Sequence, residues 1–351
     1  GRLPACLEWL DGCTMAEADS ELRTWLLRLE AYRVADDRRA VQELLITLLP
    51  LGICLCGLWV SQEHGWMLRI MATVPAAGLM MRLFMIQHDC GHGAFFSSRR
   101  ANDLVGGVLG VLTLAPYAYW RRTHRHHHAS HGRLGRSQLG GLDTLTVRQY
   151  RARSRLGRLC YRLYRNPIVL LLLGPLYQLV IKHRLPLDAP LRWRREWISV
   201  GANDLAIIGI AILVHRSVGL APAIALMAPV YGLMWSAGIW LFYVQHQFEG
   251  AYWRAPGEWR LVDSALQGSS HLELPGPLRW LTGNIGYHHI HHLSVEIPLY
   301  RLAACARDIP ELSVAPRFGL VQSVHLWRLA LWDDERRRLV GFAAAHGPGR
   351  T

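Results

Sequence analysis

The chain has 351 residues, of which 51% are hydrophobic, so its length allows one large domain or two small ones. Its 39 Lys and Arg residues outnumber the 26 Asp and Glu residues, which gives a net charge of +13. Such an excess is typical of proteins that bind nucleic acid, anionic membrane surfaces or acidic substrates. The 7 cysteines form no C-x-x-C pair, which argues against a zinc ribbon, a cysteine-ligated iron–sulfur cluster or a disulfide framework.

The first predicted element lies in the charged N-terminal segment, residues 1–40. Residues 15–33, MAEADSELRTWLLRLEAYR, alternate apolar and polar side chains at helical spacing. This pattern predicts an amphipathic helix that lies on a membrane or on the rest of the protein.

Four long apolar runs follow, and each nearly reaches the ~20 residues that a membrane-spanning helix needs. We expect spans at about 42–60, 67–86, 198–214 and 220–244. The short links within each pair make two helical hairpins. Arg69 and Arg82 lie near the ends of the second run, where we expect their long side chains to reach the membrane surface.

Two shorter apolar stretches, 104–120 and 167–181, contain Gly and Pro. If the histidine clusters described below share one site, an even number of crossings must separate them. The two hairpins already satisfy this condition, so we predict that both shorter stretches are re-entrant or interfacial helices. The predicted fold is therefore an all-α multi-pass membrane protein with a histidine-rich cap formed by 87–197 and 245–340, followed by a tail at 341–351.

The distribution of arginine predicts the orientation. The link 61–66 has no Lys or Arg and the link 215–219 has one, whereas 1–40, 87–197 and 245–351 carry nearly all the others. The positive-inside rule places these three segments in the cytoplasm. The basic balance is then explained by topology and contact with anionic lipid, and no nucleic-acid partner is expected.

Most of the 18 histidines fall into three tight clusters. On a helix, residues three or four apart share one face. This spacing selects His88 and His92 in the first cluster and similar sets in the other two: His124, His127 and His128; His288, His291 and His292. Eight imidazoles exceed the four ligands of a single zinc ion, and they fit two metal ions with four or five ligands each.

The second and third clusters align as H-R-H-H-H against H-H-I-H-H. His126 falls opposite Ile290 and lies about 200° from His124 around a helix, so we do not expect it to be a ligand. His131 lies seven residues beyond His124 on the same face, although Gly132 is a candidate helix terminator. We keep His131 as a neighbour or substitute ligand.

The ligand type leaves the metal open, because imidazole suits zinc, copper, iron and nickel. The clusters lie at the ends of membrane helices, which suits a long apolar substrate. A pair of iron ions would fit O₂-dependent chemistry on an unactivated C–H bond. Zinc would fit hydrolysis or a structural role.

The histidine motifs HxxxH, HxxHH and HxxHH on a four-span chain resemble the membrane-bound fatty acid desaturase family. The stretches QHDCGHGAFF, TLAPYAYWRRTHRHHHASHG, WLFYVQHQFEGAYW and NIGYHHIHHLSVEIPLYRL are similar to bacterial acyl-lipid desaturases of the omega-6/delta-12 type. The resemblance covers roughly 40–340. It implies two non-haem irons held by nine histidines, O₂ as cosubstrate, an acyl-lipid substrate, a separate electron donor such as a ferredoxin, and a bacterial inner-membrane location.

Two alternatives remain at this point. A hydroxylase or ketolase of the same superfamily, acting on a lipid or carotenoid, would use the same kind of site. A dizinc or purely metal-binding membrane protein belongs to another class, and a metal sensor or transporter is a further variant of it.

The ninth ligand implied by the resemblance has two candidates. The family usually has a ligand histidine at the position of His246, and a helix end is a rigid platform for one. His271, 17 residues before the third cluster, is the alternative or a neighbour of the site. The isolated histidines are not expected to be ligands: His64, His183, His215, His325 and His346.

Other residues are expected to support the site. Metal-bound histidines usually donate their second N–H to a carboxylate or carbonyl, and Asp89, Asp143 and Glu249 are candidates. Asn284 is expected either to contact a metal-bound water or to cap the helix of the third cluster. Trp120 and Tyr119 are candidates for lining an acyl channel.

Overall fold

The computed structural model describes residues 15–135 and 140–346. The helices are α1 (Met15–Leu29), α2 (Asp37–His64), α3 (Trp66–His92), α4 (Arg99–Leu112), α5 (Tyr117–Ser130), α6 (Val147–Ala152), α7 (Arg155–Tyr164), α8 (Pro167–Leu176), α9 (Arg194–Ser217), α10 (Leu220–His246), α11 (Leu261–Gly268), α12 (Gly276–Leu281), α13 (His288–Leu293), α14 (Leu299–Asp308) and α15 (Leu320–Leu326). A π-helical turn, Tyr177–Lys182, extends α8, and short 3₁₀ turns lie at Glu30–Tyr32, Pro310–Val314 and Phe342–His346.

Four of these helices, α2, α3, α9 and α10, are long and apolar enough to cross a membrane, which confirms the predicted spans. Each extends beyond the predicted apolar run; α2, for example, begins at Asp37, where the Asp36 side chain accepts the backbone N–H of Arg39. Large apolar side chains such as Leu49, Ile53 and Leu213 stay exposed on these helices. A continuous exposed apolar surface of this kind is typical of contact with lipid.

The spans form the two predicted hairpins. Gly65 links α2 to α3, and Val218 and Gly219 link α9 to α10. The opposite ends of α3 and α10 carry His92 and His246. Both links therefore lie at one end of the bundle and the histidines at the other.

The stretch 104–120, predicted to be a re-entrant or interfacial helix, is not one element. It is divided between α4 and α5, which a turn at 113–116 joins, with Leu114 in the left-handed region at φ 59°. This turn packs against the spans because the Thr113 hydroxyl donates to Gln87 Oε1 at 2.5 Å and the Tyr231 hydroxyl donates to the Leu112 carbonyl at 2.8 Å. The hairpin delivers α5 to the ends of α3 and α10.

The stretch 167–181 forms α8 and its π-helical turn, and the pair α7–α8 is bent by 75°. At the bend, Arg165 donates to Gln247 just beyond the end of α10 at 2.7 Å. After the turn, Glu196 in the first turn of α9 pairs with Arg122 of α5 at 3.2 Å. Both ends of this piece lie on the histidine side, which agrees with the even number of crossings that the sequence predicts.

The N-terminal helix α1 packs on the protein, which decides between the two positions expected for it. Leu22 and Leu29 are buried in a cluster with Val262 of α11 and Ile290 of α13. The helix thus covers the outer side of the third histidine cluster. Residues 1–14 of the predicted N-terminal segment lie outside the described residues.

Arg82 does not reach the membrane surface, contrary to expectation. It is buried at 1% exposure and forms an ion pair with Glu43 of α2, also buried. Its Nε atom donates to Thr47 at 3.2 Å, and its guanidinium lies 4.1 Å from the Trp280 ring centroid. A buried charge is tolerated only when it is paired and hydrogen-bonded, and these contacts meet that condition.

The fold is mostly helical, which confirms the expected fold class, and the cap also contains two short sheets. One sheet contains strands β1 (Leu145–Thr146), β4 (Leu331–Asp333) and β5 (Arg338–Val340). Strand β4 lies in the middle; it pairs with β1 in the parallel direction and with β5 in the antiparallel direction. Strands β2 (His271–Glu273) and β3 (Arg317–Gly319) form the other. Alternation over two or three residues is too short to stand out in the sequence.

Candidate metal centre

Four helices bring the histidine clusters together. His88 and His92 occupy the last turn of α3, and His246 ends α10. The second cluster lies on α5, which ends at Ser130 before Gly132 adopts the left-handed region at φ 72°. The third cluster forms the six-residue helix α13, which is fully buried.

The first group of converging nitrogens contains five histidines: His88, His92, His124, His128 and His291. One ligand atom from each lies within 4.8 Å of all the others. The Nε2 atoms of His88 and His124 are 3.0 Å apart, those of His124 and His128 are 3.0 Å apart, and those of His128 and His291 are 3.2 Å apart. Residues from α3, α5 and α13 thus meet at one point.

The second group contains four buried histidines: His127, His246, His288 and His292. The Nε2 atom of His246 lies 3.0 Å from that of His127 and 2.9 Å from that of His288. The two groups adjoin, since the rings of His128 and His292 have centroids 4.2 Å apart. The two groups together contain the nine histidines singled out from the sequence.

Three observations indicate that these residues can bind metal ions. Burial lowers the pKa of His127 and His291 well below the ordinary value, so these imidazoles are neutral at pH 7 and offer a lone pair. The buried Nε2 of His92 has no hydrogen-bond partner among the described residues. Two nitrogens bound to one ion at about 2.1 Å and at right angles lie about 3.0 Å apart, close to the observed spacings.

Asp89 is the one proposed carboxylate partner that contacts a cluster histidine. Its Oδ1 lies 3.0 Å from His88 Nδ1, and its Oδ2 accepts the backbone N–H of Leu299 at 2.6 Å. The contact fixes Nδ1 of His88 as the protonated nitrogen and leaves Nε2 for the group.

His131 lies beside the second group without belonging to it. Its ring centroid is 4.1 Å from that of His246, and its Nε2 donates to the Gly268 carbonyl at 2.7 Å. Burial lowers the pKa of His131 to about 4. The same carbonyl lies 3.5 Å from His246 Nδ1. Gly268 is a contact that the sequence analysis missed, because a backbone carbonyl leaves no signal in the residue letters.

Several expected neighbours lie elsewhere. Asp143 contacts Tyr161 and Tyr164 through its backbone, and Glu249 pairs with Arg338, so neither is a partner of a cluster histidine. Asn284 does not cap α13; its side chain donates to the Leu299 carbonyl at 2.9 Å. His271 stacks on Tyr287 at 4.5 Å between centroids and belongs to neither group.

The two channel candidates face different ways. Trp120 stacks on His124 with centroids 4.6 Å apart, and its edge meets Phe84, which in turn contacts Trp235. The Tyr119 hydroxyl instead donates to Asp188 at 2.5 Å, in a cluster with Trp193. An apolar aromatic wall therefore reaches the first group through Trp120. Tyr119 lies on another side of α5 and anchors this helix to Asp188.

The isolated histidines whose side chains the structure describes take no part in the two groups; the side chain of His346 lies outside the described part. His64, His215 and His325 are exposed. His183 is buried, with its ring 5.1 Å from that of Trp235. His126 stacks on Trp193 at 5.5 Å, on the side of α5 opposite the clusters.

Four spanning helices with a histidine-rich centre able to hold metal at one end define an integral-membrane metalloenzyme. The chain belongs to the fatty acid desaturase family: the model of that family matches residues 64–324. Members of this family are oxidoreductases that desaturate lipids. The sequence resemblance is thereby confirmed.

Individual relatives agree with this assignment. The chain is 37% identical over 321 residues to a fatty acid desaturase of Bacillus subtilis, covering 90% of each chain. It is 27% identical to an sn-1 oleoyl-lipid 12-desaturase of Synechocystis, covering 78% of this chain and 76% of the relative. It is 26% identical to an sn-1 acyl-lipid omega-3 desaturase (ferredoxin) of Nostoc, covering 71% and 69%.

Proposed function

We propose that this protein is an O₂-dependent diiron desaturase that introduces a cis double bond into a long acyl chain of a membrane lipid. The observation that carries the proposal is the pair of adjacent imidazole groups at the ends of membrane helices. Such a site meets an acyl chain where the chain lies in the membrane.

The proposed ligands of one iron are His88, His92, His124, His128 and His291, and those of the other are His127, His246, His288 and His292. Five converging nitrogens exceed the four of a tetrahedral zinc site. This number favours iron, with more than four ligands, over zinc at the first group.

Bound iron would supply the reduction of O₂ and the oxidising power to remove hydrogen from a methylene group. The reaction balances when O₂ takes four electrons and four protons to form two waters. Two hydrogen atoms come from neighbouring acyl carbons, which become the double bond. The other two electrons come from an external donor and the other two protons from solvent.

The residues of the chain have three tasks in this reaction. The buried histidines stay neutral and present Nε2 to the metal, and Asp89 holds the ring of His88 in that orientation. The wall formed by Phe84, Trp120 and Trp235 excludes water and guides the acyl chain past the first group. Correct placement of one C–C bond matters because a shift of about 1 Å can cost ~10²-fold in rate.

The substrate and donor are proposed from the relatives. The Synechocystis protein is named for an oleoyl lipid, and the Nostoc protein is named with ferredoxin. We infer a similar acyl-lipid substrate and a separate, ferredoxin-like donor here. The bacterial relatives support a location in the bacterial inner membrane, and the arginine distribution supports a site on the cytoplasmic face. We further propose a division into an N-terminal segment 1–40, a desaturase domain 41–340 and a tail 341–351.

The decisive experiment is expression in a bacterial host rich in monounsaturated lipid, with mapping of double bonds in its fatty acids and the His128→Ala variant as control. New diunsaturated chains that depend on His128 support the proposal. Added oxygen in the product would identify a hydroxylase instead. Two zinc ions per chain in anaerobically purified protein, without iron-dependent activity, would identify a zinc protein.

A further inference from the structure

A large cavity opens on the cap, on the side of the second histidine group. Its volume is about 1240 Å³, and it is lined by α6, by the segment before it and by the turn between β4 and β5. Trp253 forms part of its wall. The proposed function leaves this cavity without a role.

Three arginines, Arg148, Arg151 and Arg153, form one rim of the cavity; we call them the rim arginines. All three are exposed, and within the described part of the chain no carboxylate forms an ion pair with any of them. The sequence has no acidic residue between Asp143 and Asp188. The opposite rim is mostly acidic, with Asp333, Asp334 and Glu335 beside Arg336. The lining as a whole holds five arginines and four carboxylates, and its positive charge is concentrated on the rim arginines.

Aromatic rings connect this cavity to the candidate metal centre. Trp253 is buried at 4% exposure, and its ring centroid lies 6.4 Å from that of His131. The His131 ring lies 4.1 Å from that of His246 in the second group. Trp253 Nε1 has no hydrogen-bond partner among the described residues, although the ring is fixed between His131 and Trp332.

We propose that this cavity is the docking site of the electron donor, a one-electron carrier protein with an acidic face, and that electrons enter through Trp253 and His131. The inference rests on the proposed function, because only an O₂-reducing centre needs such a donor. Each docking event oxidises one carrier by one electron and reduces the centre by one, so two carriers serve each turnover. Charge complementarity steers an acidic partner to the rim arginines and raises its rate of association.

The probe for docking is an acidic plant-type [2Fe–2S] ferredoxin, added to the metal-free full-length protein in phosphatidylcholine nanodiscs. The Arg148→Glu/Arg153→Glu variant should weaken binding about tenfold or more at low salt. The matched control is Arg99→Glu/Arg100→Glu, an equal charge reversal at exposed positions on α4, which should bind as the unchanged protein does. Equal affinity of all three proteins, or equal loss in both variants, would overturn the docking site.

The electron path is tested on iron-loaded protein with Trp253→Leu and Trp253→Phe. The Leu variant should bind ferredoxin normally and accept its electrons several-fold more slowly, with reduction by dithionite unchanged, and Phe should restore the rate. Unchanged reduction by ferredoxin in the Leu variant would refute the path. If the Leu variant were reduced slowly by both ferredoxin and dithionite, the substitution would have changed the structure of the metal centre, and the path would equally be refuted.

Anionic lipid is the competing partner for the rim arginines. If the double reversal keeps ferredoxin affinity but loses the stabilisation given by phosphatidylglycerol nanodiscs, the arginines contact the membrane and the proposal is wrong. Docking on metal-free protein is measured independently of desaturation. Intact docking without new double bonds would refute the proposed function alone, and new double bonds without docking at the rim would refute this inference alone.

Discussion

Asp89 binds His88 with one carboxylate oxygen and holds the backbone N–H of Leu299 with the other, at 3.0 Å and 2.6 Å. It thereby joins the first histidine cluster to the segment that follows the third. The Asn284 side chain donates a hydrogen bond to the carbonyl of the same Leu299. One carboxylate thus orients a candidate ligand and fixes the distance between two ligand-bearing segments.

The Asp89→Asn variant should therefore lose iron affinity by about 10–100-fold, the usual effect of removing a partner that orients a ligand. Iron content after dialysis against a graded chelator measures the effect. Asp143→Asn is the matched control, because Asp143 contacts no cluster histidine, and it should keep its iron. Equal iron retention in both variants would contradict the role of Asp89.

His128→Ala should abolish activity and lower the iron content, whereas His126→Ala should leave most of both. The physical reason is that the two side chains point to opposite sides of α5. The Nε2 of His128 lies 3.0 Å from that of His124, whereas His126 stacks on Trp193 outside the groups. Iron analysis and product formation in parallel membranes provide the measurement. Similar losses in the two variants would refute the ligand assignment.

Trp120→Ala should lower the rate and spread the double bond over neighbouring positions, because the ring packs on His124 at 4.6 Å and forms part of the apolar wall. Gas chromatography of derivatised fatty acids gives the distribution. Tyr119→Phe serves as the control. It removes the hydrogen bond to Asp188, should cost about 1.5–3 kcal/mol of stability, and should leave the product positions unchanged.

The buried ion pair of Glu43 and Arg82 gives a prediction about stability. Removing one partner of a buried pair costs roughly 3–5 kcal/mol. Glu43→Leu should cost more than Arg82→Met, because Arg39 still pairs with Glu43 at 2.8 Å when Arg82 is replaced. Melting temperatures in detergent test the order. Arg69→Met changes an exposed arginine of α3, the helix that carries Arg82, and should have little effect on the melting temperature.

His183 predicts a pH dependence of stability. Burial, with a smaller contribution from Arg184 and Lys182, lowers the pKa of His183 from 6.5 to about 3. The unfolded chain therefore takes up this proton first, so the stabilisation present above pH 6.5 is lost as the pH falls toward 3. Metal-free His183→Phe should show a smaller fall in melting temperature over this interval than the unchanged protein. An identical pH profile would exclude His183 as a source of this dependence.

The sequence by itself determined the four spans and the choice of His124, His127 and His128 over His126. Each depends on local information: the length of an apolar run, or which face of a helix a residue occupies. Such properties are fixed by 3.6 residues per turn and by the cost of leaving polar groups in an apolar layer.

Only the tertiary structure decided how the histidines divide into five and four, because each group draws on at least three segments far apart in the chain. It also selected Asp89 from the three candidate carboxylates, added the Gly268 carbonyl as a histidine partner, and paired Arg82 with Glu43 inside the bundle. Arg82 and Glu43 are 39 positions apart in the chain, and Asp89 contacts the backbone of Leu299, 210 positions away. Residue spacing along one helix carries no information about which distant element packs against it.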